Sequence, residues 1–252
     1  MPVVLARING AYITNPKWRK NRIKGHVHTE VVRILTADEV IKMSVDEINN
    51  IINECITYND FTYAKENNIV YKAKNKAQGL ENVLYYCPHC HNEYTIKTEN
   101  NKVYCSHCGF NVEIDEHYSF TNNELNINNI HDWYQKMIEN EKESINNKKV
   151  NLSCEVTLKR FNFTNKKLNS TGTGICTLTN EGFSFSGKVN DTDITFKHDI
   201  KNLRGLAFSA GEEFECYYND ELYYFYPVTN RQQCTKWALI VDEMIKDCDL
   251  NE

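Results

Sequence analysis

The sequence has few residues that break regular structure, and it has no long apolar run. Only four prolines and ten glycines occur among 252 residues, which excludes collagen-like and low-complexity chains. No stretch approaches the roughly eighteen consecutive apolar residues of a membrane-spanning helix, so we expect any membrane contact to be peripheral or to be supplied by something outside this chain. With 41% hydrophobic and 25% charged residues, the chain is ordinary globular protein, long enough for two or three small domains.

Ten cysteines are present, and four of them form two Cys-x-x-Cys pairs separated by fourteen residues. Thiolates at such a spacing predict a tetrahedral structural Zn²⁺ site in a zinc ribbon, with the ligands Cys87, Cys90, Cys105 and Cys108. Disulfides are the less favoured alternative, because no secretory leader precedes the pairs and the other cysteines are scattered singly. The histidines among and beside them, His89, His91 and His107, are substitute ligands or polar cover for the sulfurs.

A shell of four sulfurs leaves no open position for water or substrate, so we expect this metal to hold structure rather than to catalyse. Between and after the pairs, residues 93–97, 102–105 and 110–114 have the apolar and β-branched content of short strands. The sequence therefore predicts a three-stranded ribbon around the metal.

Helices are predicted on both sides of the ribbon. Capping boxes at Thr36–Glu39 and Ser44–Glu47 mark two helix starts. The second helix is expected to turn one apolar face to the core, formed by Ile48, Ile51, Ile52, Cys55 and Ile56. Further helices are predicted over 78–84, leading into the ribbon, and over 130–146.

From about residue 150 the sequence changes to short β-branched and aromatic runs separated by turns such as Asn190-Asp191 and Asn219-Asp220. Six or seven antiparallel strands are predicted, followed by a C-terminal helix that starts after the capping box Thr229–Gln232. A bent sheet closed by a terminal amphipathic helix resembles the pleckstrin-homology (PH) superfold, including GRAM-type modules. This resemblance is one of topology and implies no ligand.

The first ninety residues carry a more specific pattern. Its parts are Pro2-Val3-Val4, Asn9-Gly10-Ala11-Tyr12, Pro16-Lys17-Trp18, a basic stretch ending Lys24-Gly25, a strand into Leu35-Thr36, and the run from Ala77 to Cys90. In this order they resemble the C-terminal part of bacterial PlsC-like lysophospholipid (1-acyl-glycerol-3-phosphate) acyltransferases with a zinc-ribbon extension. The resemblance implies a role in phospholipid biosynthesis, with Pro2-Val3-Val4 in a strand beside the acyl-acceptor site.

The catalytic blocks of that family are missing from this sequence. Those enzymes use a histidine with an aspartate five residues later, and a Pro-Glu-Gly-Thr-type block for the acceptor phosphate. None of the eight histidines here has such an aspartate, and no Glu-Gly is followed by Thr. We therefore expect no catalytic residue in this chain and no acyl transfer by the chain alone. Three interpretations stay open: a split gene with a separate catalytic acyltransferase half as a partner, a gene fragment, and an independent relative of the family.

Charge is unevenly distributed along the chain. The net charge is −5, yet residues 1–36 hold seven Lys or Arg and the single acid Glu30. An anionic membrane surface or a phospholipid headgroup is the expected partner of this segment, through Lys17, Trp18, Arg19, Lys20, Arg22 and Lys24. The binding should be weak and salt-sensitive, at the inner face of a membrane. The alternative is a solvated loop with Trp18 folded onto the core.

The expected fold class is α+β in four parts: a remnant acyltransferase strand-helix segment over 1–84, the zinc ribbon over 85–118, a helical linker over 119–149, and a PH/GRAM-like β-domain over 150–252. The expected localisation is cytoplasmic. Two other functions stay open, a zinc-ribbon adaptor that binds lipid or protein and a nucleic-acid-binding protein. The second is disfavoured, because residues 87–118 hold two lysines against five acidic residues.

Overall fold

A computed structural model describes residues 1–122, 124–162 and 164–250. Within these ranges the structure combines helices with antiparallel sheets, which confirms the predicted α+β class. The sheets have two, four and seven strands in chain order.

The N-terminal segment consists of a strand pair and short helices: β1 (Val3–Asn9), α1 (Ala11–Thr14), β2 (His28–Leu35), α2 (Ala37–Lys42), α3 (Val45–Ile56) and α4 (Asp60–Glu66). β1 and β2 pair antiparallel, from Val3 opposite Leu35 to Asn9 opposite His28. The buried carboxylate of Asp60 accepts hydrogen bonds from the N–H groups of Gly10 and Tyr12, at 2.6 and 2.8 Å. These bonds fix the chain that leaves β1 against the start of α4.

Helices α2 and α3 begin at the predicted capping boxes. The Ser44 hydroxyl accepts from the Glu47 N–H at 3.2 Å, and the Glu47 carboxylate accepts from the Ser44 N–H at 2.8 Å. The expectation that the apolar face of α3 is core is wrong, since no residue of α3 is buried and Ile56 is exposed. The helix packs against β1, and a two-stranded sheet is too small to cover it.

The predicted helix over 78–84 is also wrong, because the structure has only a single 3₁₀ turn there, Leu80–Asn82. The turn starts at Gly79, which has φ +92° and lies so close to the Trp18 carbonyl that a Cβ would clash with it. The four-stranded sheet follows in consecutive antiparallel order, as β3 (Ile96–Glu99), β4 (Lys102–Cys105), β5 (Asn111–Ile114) and β6 (Phe120–Thr121).

The long helix α5 (Ile130–Asn146) has the ends that the sequence predicts. It leads into the seven-stranded sheet, which is formed by β7 (Asn151–Asn162), β8 (Lys167–Thr179), β9 (Gly182–Val189), β10 (Thr192–Asp199), β11 (Ala207–Ser209), β12 (Glu213–Tyr218) and β13 (Glu221–Pro227). The strand order is β10-β9-β8-β7-β13-β12-β11. The final helix is α6 (Gln233–Leu250). The predicted capping box Thr229–Gln232 is wrong, because the helix begins only at Gln233, outside the box, and the Gln232 side chain donates instead to the Glu81 carbonyl at 2.8 Å.

Turn chemistry sets the register of the tight hairpins in this sheet. Asn190-Asp191 joins β9 to β10, and Asn219-Asp220 joins β12 to β13. All four residues have positive φ, between 48° and 63°, as two-residue type I′ turns require. Both predicted turns are therefore confirmed.

Two apolar cores hold the chain together. The first joins the N-terminal segment, the ribbon and the start of α5, around Tyr85 and Trp133. The second lies inside the seven-stranded sheet, around Phe183, Phe225 and Trp237. Helix α6 contributes Leu239 to the first core and most of its other buried side chains to the second, so this one helix connects the two.

Candidate metal centre

The four cysteines predicted as ligands lie together at the end of the ribbon. Their Sγ atoms are all within 4.8 Å of one another. The Cys87 and Cys108 sulfurs are 3.8 Å apart, and the Cys90 and Cys105 sulfurs are 3.7 Å apart. A tetrahedral zinc with metal–sulfur distances of about 2.3 Å requires sulfur–sulfur separations of about 3.8 Å. The cage therefore has dimensions that suit one tetrahedral metal ion.

Two similar backbone turns bring these sulfurs to one point. The His91 N–H donates to the Cys87 carbonyl at 2.9 Å, and the Gly109 N–H donates to the Cys105 carbonyl at 3.0 Å. His91 and Gly109 both have left-handed φ, +62° and +80°. A left-handed residue directly after each Cys-x-x-Cys pair reverses the chain, which explains the glycine at 109.

Polar groups around the sulfurs favour the thiolate form of two cysteines. Burial alone raises the pKa of Cys90, but the backbone N–H and side-chain amide of Asn92 oppose it and help to lower that pKa to about 5. For Cys105, burial is likewise outweighed, chiefly by the Thr95 hydroxyl at 3.2 Å from the sulfur, and the pKa is lowered. Burial raises the pKa of Cys87 and of Cys108. Metal binding requires the thiolate form of each cysteine, so Asn92 and Thr95 favour metal binding by stabilising the thiolates of Cys90 and Cys105.

The neighbouring histidines have other partners. The Tyr86 hydroxyl and the His91 Nδ1 form a hydrogen bond, and the His89 ring stacks on Phe110 with centroids 5.8 Å apart. His107 Nδ1 lies 3.4 Å from the Asn92 side-chain nitrogen. Within the described part of the chain, the group close enough to hold a metal consists of the four cysteines.

The ribbon is packed tightly against α5. Phe110 lies edge-on to Trp133, with ring centroids 5.7 Å apart. The Trp133 indole N–H donates to the Tyr86 carbonyl at 2.8 Å, directly before the first ligand turn. Both rings are buried at the junction, so the metal cage is attached to the first core and does not swing on a linker.

A second set of contacts joins the ribbon side to α6. Lys236 of α6 pairs with Glu93 at 2.5 Å and with Glu141 of α5 at 3.5 Å. The Tyr85 hydroxyl donates to Glu141 at 2.9 Å, while burial raises the pKa of that carboxyl against the opposing charge of Lys236. A buried network of this kind is costly unless every member is paired, so it holds the ribbon and the β-domain in one arrangement.

The structure corrects the role expected for Trp18. Its side chain is only 4% exposed and stacks on Phe61, with centroids 6.5 Å apart. Tyr12 packs edge-on against it. The prediction that Trp18 contacts lipid is therefore wrong: α4 offers the indole an apolar site in the first core, and burial there outweighs exposure to solvent.

The cations beside Trp18 are divided between internal contacts and solvent. Arg19 donates to the carbonyls of Lys74 and Asn75, both at 3.0 Å. Two others reach the β-domain: Lys17 lies 4.3 Å above the Phe208 ring, and Lys20 pairs with Glu212 at 3.0 Å while its side chain stays 91% exposed. Arg22 and Lys24 are exposed. The basic stretch thus contacts the β-domain as well as water.

Sequence reasoning missed Asn92, Thr95 and the Lys236–Glu141 pair. Asn92 and Thr95 could have been found, because polar residues close to a metal-binding Cys-x-x-Cys pair often donate to its sulfurs. No pattern in the sequence indicates the role of Lys236, because 143 residues separate it from Glu93, the other carboxylate with which it pairs.

Comparison with models of known protein families finds no match to this chain. Comparison with curated proteins finds none either. No helix within the described ranges is both long and apolar enough to cross a membrane.

Proposed function

We propose that this chain is a non-catalytic accessory region of the PlsC-like acyltransferase type, in which a structural zinc ribbon holds a PH-like β-domain against the N-terminal segment. The observation that carries the proposal is the cage of four cysteine sulfurs. A cage closed by four sulfurs offers no position for water or a substrate. The role of the metal in this proposal is therefore structural.

Zinc is the proposed metal because of the ligand type and the fold around it. Tetrahedral sites of four thiolates hold zinc or iron. The sulfurs here sit on two tight turns joined by a β-hairpin and supported by buried aromatic rings, which matches the structural four-cysteine sites of zinc ribbons. Metal analysis of the purified protein distinguishes the two metals.

The PH-like assignment rests on topology. Seven antiparallel strands form one sheet, whose inner face packs around Phe183 and Phe225. The terminal helix α6 closes that core through Trp237 and Val241. This arrangement supports the PH-like assignment, but a fold alone does not identify a ligand.

The acyltransferase assignment rests on the sequence pattern of the first ninety residues. Pro2-Val3-Val4, which the resemblance implies to lie in a strand, leads into β1. Because the chain has no histidine with an aspartate five residues later, a separate catalytic half supplies the chemistry in this proposal. The accessory region would contribute the contact with an anionic membrane surface or lipid headgroup through the exposed cations Lys20, Arg22 and Lys24.

The test combines metal analysis with an activity assay. The purified chain should contain about one zinc per molecule, since one four-sulfur cage holds one ion. Supplied with an acyl donor and lysophosphatidic acid, it should show no acyl transfer above a blank, because no base is positioned for the acceptor hydroxyl. Turnover by the chain alone would overturn the non-catalytic role, and His26 and His28 would then be the first residues to mutate. Iron in place of zinc would overturn the metal assignment.

A further inference from the structure

The strand pair β1–β2 has one face that nothing in the described structure covers. The register places Val4 opposite Ile34, Ala6 opposite Val31 and Ile8 opposite Thr29, and side chains of paired residues point to the same side of a sheet. We call these six residues the outer face. The four larger aliphatic side chains are between 48% and 59% exposed, and Ala6 and Thr29 are exposed as well.

The opposite face of the same pair behaves as an ordinary inner face. Leu5 and Leu35 are buried, and the Arg7 guanidinium donates to the Cys55 carbonyl at the end of α3. Glu30 accepts from Asn9 at 3.1 Å on this side. The outer face is thus uncharged, and the one acidic residue of the first 36 points away from it.

We propose that the outer face is the apolar part of a membrane-contact surface that lies against anionic lipid. The proposal rests on the membrane role proposed above and assigns that role to particular side chains, replacing the buried Trp18. Aliphatic groups that leave water for the acyl boundary gain free energy in proportion to the area they bury.

Charge supports lipid as the occupant. Two exposed cations, Arg22 and Lys24, lie within six residues of the start of β2, at the end of the strand pair where Ile8 faces Thr29. Aliphatic side chains with cations nearby are typical of a membrane interface.

The size of the outer face argues against a second copy of the chain. A stable protein interface needs about 800 Å² from each partner. Four half-exposed aliphatic side chains, an alanine and a threonine provide much less than that. Two copies meeting face to face would also bring their cationic segments together, which costs free energy. Weak, reversible contact with an anionic bilayer meets neither difficulty.

The experiment uses vesicle sedimentation with the full chain loaded with zinc. Vesicles contain phosphatidylcholine with or without phosphatidylglycerol. The variant Val31→Thr/Ile34→Thr keeps β-branched side chains in the strand while it removes aliphatic surface. Ile175→Thr/Val228→Thr is the matched control, because both residues are comparably exposed, at 49% and 56%, but lie in the β-domain. Zinc content and thermal unfolding of each variant confirm that it is folded.

The outer-face variant should bind phosphatidylglycerol vesicles about tenfold more weakly than the wild type, and the control should bind within about twofold of it. Part of the wild-type binding should persist at about 0.5 M salt, where charge contacts are screened, and the outer-face variant should lose that part. Equal binding of variant and wild type would overturn the outer-face assignment and leave the charge-based membrane role standing.

If the wild type did not bind phosphatidylglycerol vesicles, both the outer-face assignment and the proposed membrane role would be overturned. If light scattering showed a dimer of the wild type and a monomer of the outer-face variant, a second copy would be the occupant and the lipid assignment would be wrong. Stoichiometric retention of a defined acyltransferase catalytic half by the wild type but not by this variant would assign the face to protein instead.

Discussion

Eight of the ten cysteines form two sets of four that differ in spacing along the chain and in how their sulfurs are arranged. The first set, in the ribbon, comes in two close pairs whose sulfurs converge on one point. The second set, Cys154, Cys176, Cys216 and Cys234, is spread over eighty residues and buried in the β-domain core. Cys154 and Cys176 even face each other across β7 and β8. Yet within the described ranges only the first set forms a group able to hold a metal.

The local environment explains the difference. In the core, burial raises the pKa of Cys154 and of Cys216 to about 12, so these thiols stay protonated and behave as small apolar side chains. In the ribbon, N–H and hydroxyl donors outweigh burial at two of the four cysteines: the pKa of Cys90 falls to about 5 and that of Cys105 is also lowered, whereas burial raises the pKa of the other two. The four ribbon cysteines differ from the core cysteines in that their sulfurs converge and that donors stabilise the thiolate of two of them.

The largest effect should come from breaking the first set. Cys105→Ser should lose the bound zinc, and because metal binding in small ribbons contributes on the order of 10 kcal/mol to folding, the ribbon should lose its fixed structure. Metal analysis and thermal unfolding measure both changes. Cys55→Ser, at a half-buried cysteine of α3, is the control and should keep a full equivalent. A Cys105→Ser protein that still held one tightly bound zinc would show that the ligands are misassigned.

A smaller effect should follow from the same substitution in the second set. Cys176 is fully buried, and a serine hydroxyl there would lack a partner, so Cys176→Ser should lower the free energy of unfolding by about 1–3 kcal/mol. Its zinc content should not change. Urea unfolding gives the free energy, and Cys176→Ala separates the cost of the hydroxyl from the loss of volume. Loss of zinc in Cys176→Ser would mean that the two sets are coupled.

The smallest effect concerns a donor rather than a ligand. Thr95→Val keeps the shape of the side chain but removes the hydroxyl that lies 3.2 Å from the Cys105 sulfur. Zinc affinity should fall about tenfold, the lower end of the usual loss for such supporting groups. Competition with a chromogenic chelator measures it. Thr121→Val, whose hydroxyl donates to the Glu113 carbonyl at 3.4 Å, should bind zinc as the wild type does. Equal affinity of the two variants would remove Thr95 from the site.

The features that were predictable from sequence depend on neighbouring residues. The Cys-x-x-Cys turns, the capping boxes of α2 and α3, the limits of α5 and the Asn-Asp turns each rest on signals within a few residues, and the structure has these features. The errors concern contacts that are distant in sequence. Trp18 is buried because Phe61 lies beside it, and 78–84 is not a helix because Gly79 must pass the Trp18 carbonyl. No local pattern shows where such a partner will lie.

Helix α6 determines the order in which the molecule can be assembled. Leu239 belongs to the first core, whereas Trp237 and Val241 belong to the second. A ribosome releases the two Cys-x-x-Cys turns long before it releases this helix, so the proposed metal could bind the four cysteines while the chain is still being made. Neither core is complete until α6 emerges and Lys236 reaches Glu93. We therefore expect metal capture to come first during synthesis and the joining of the two cores to come last.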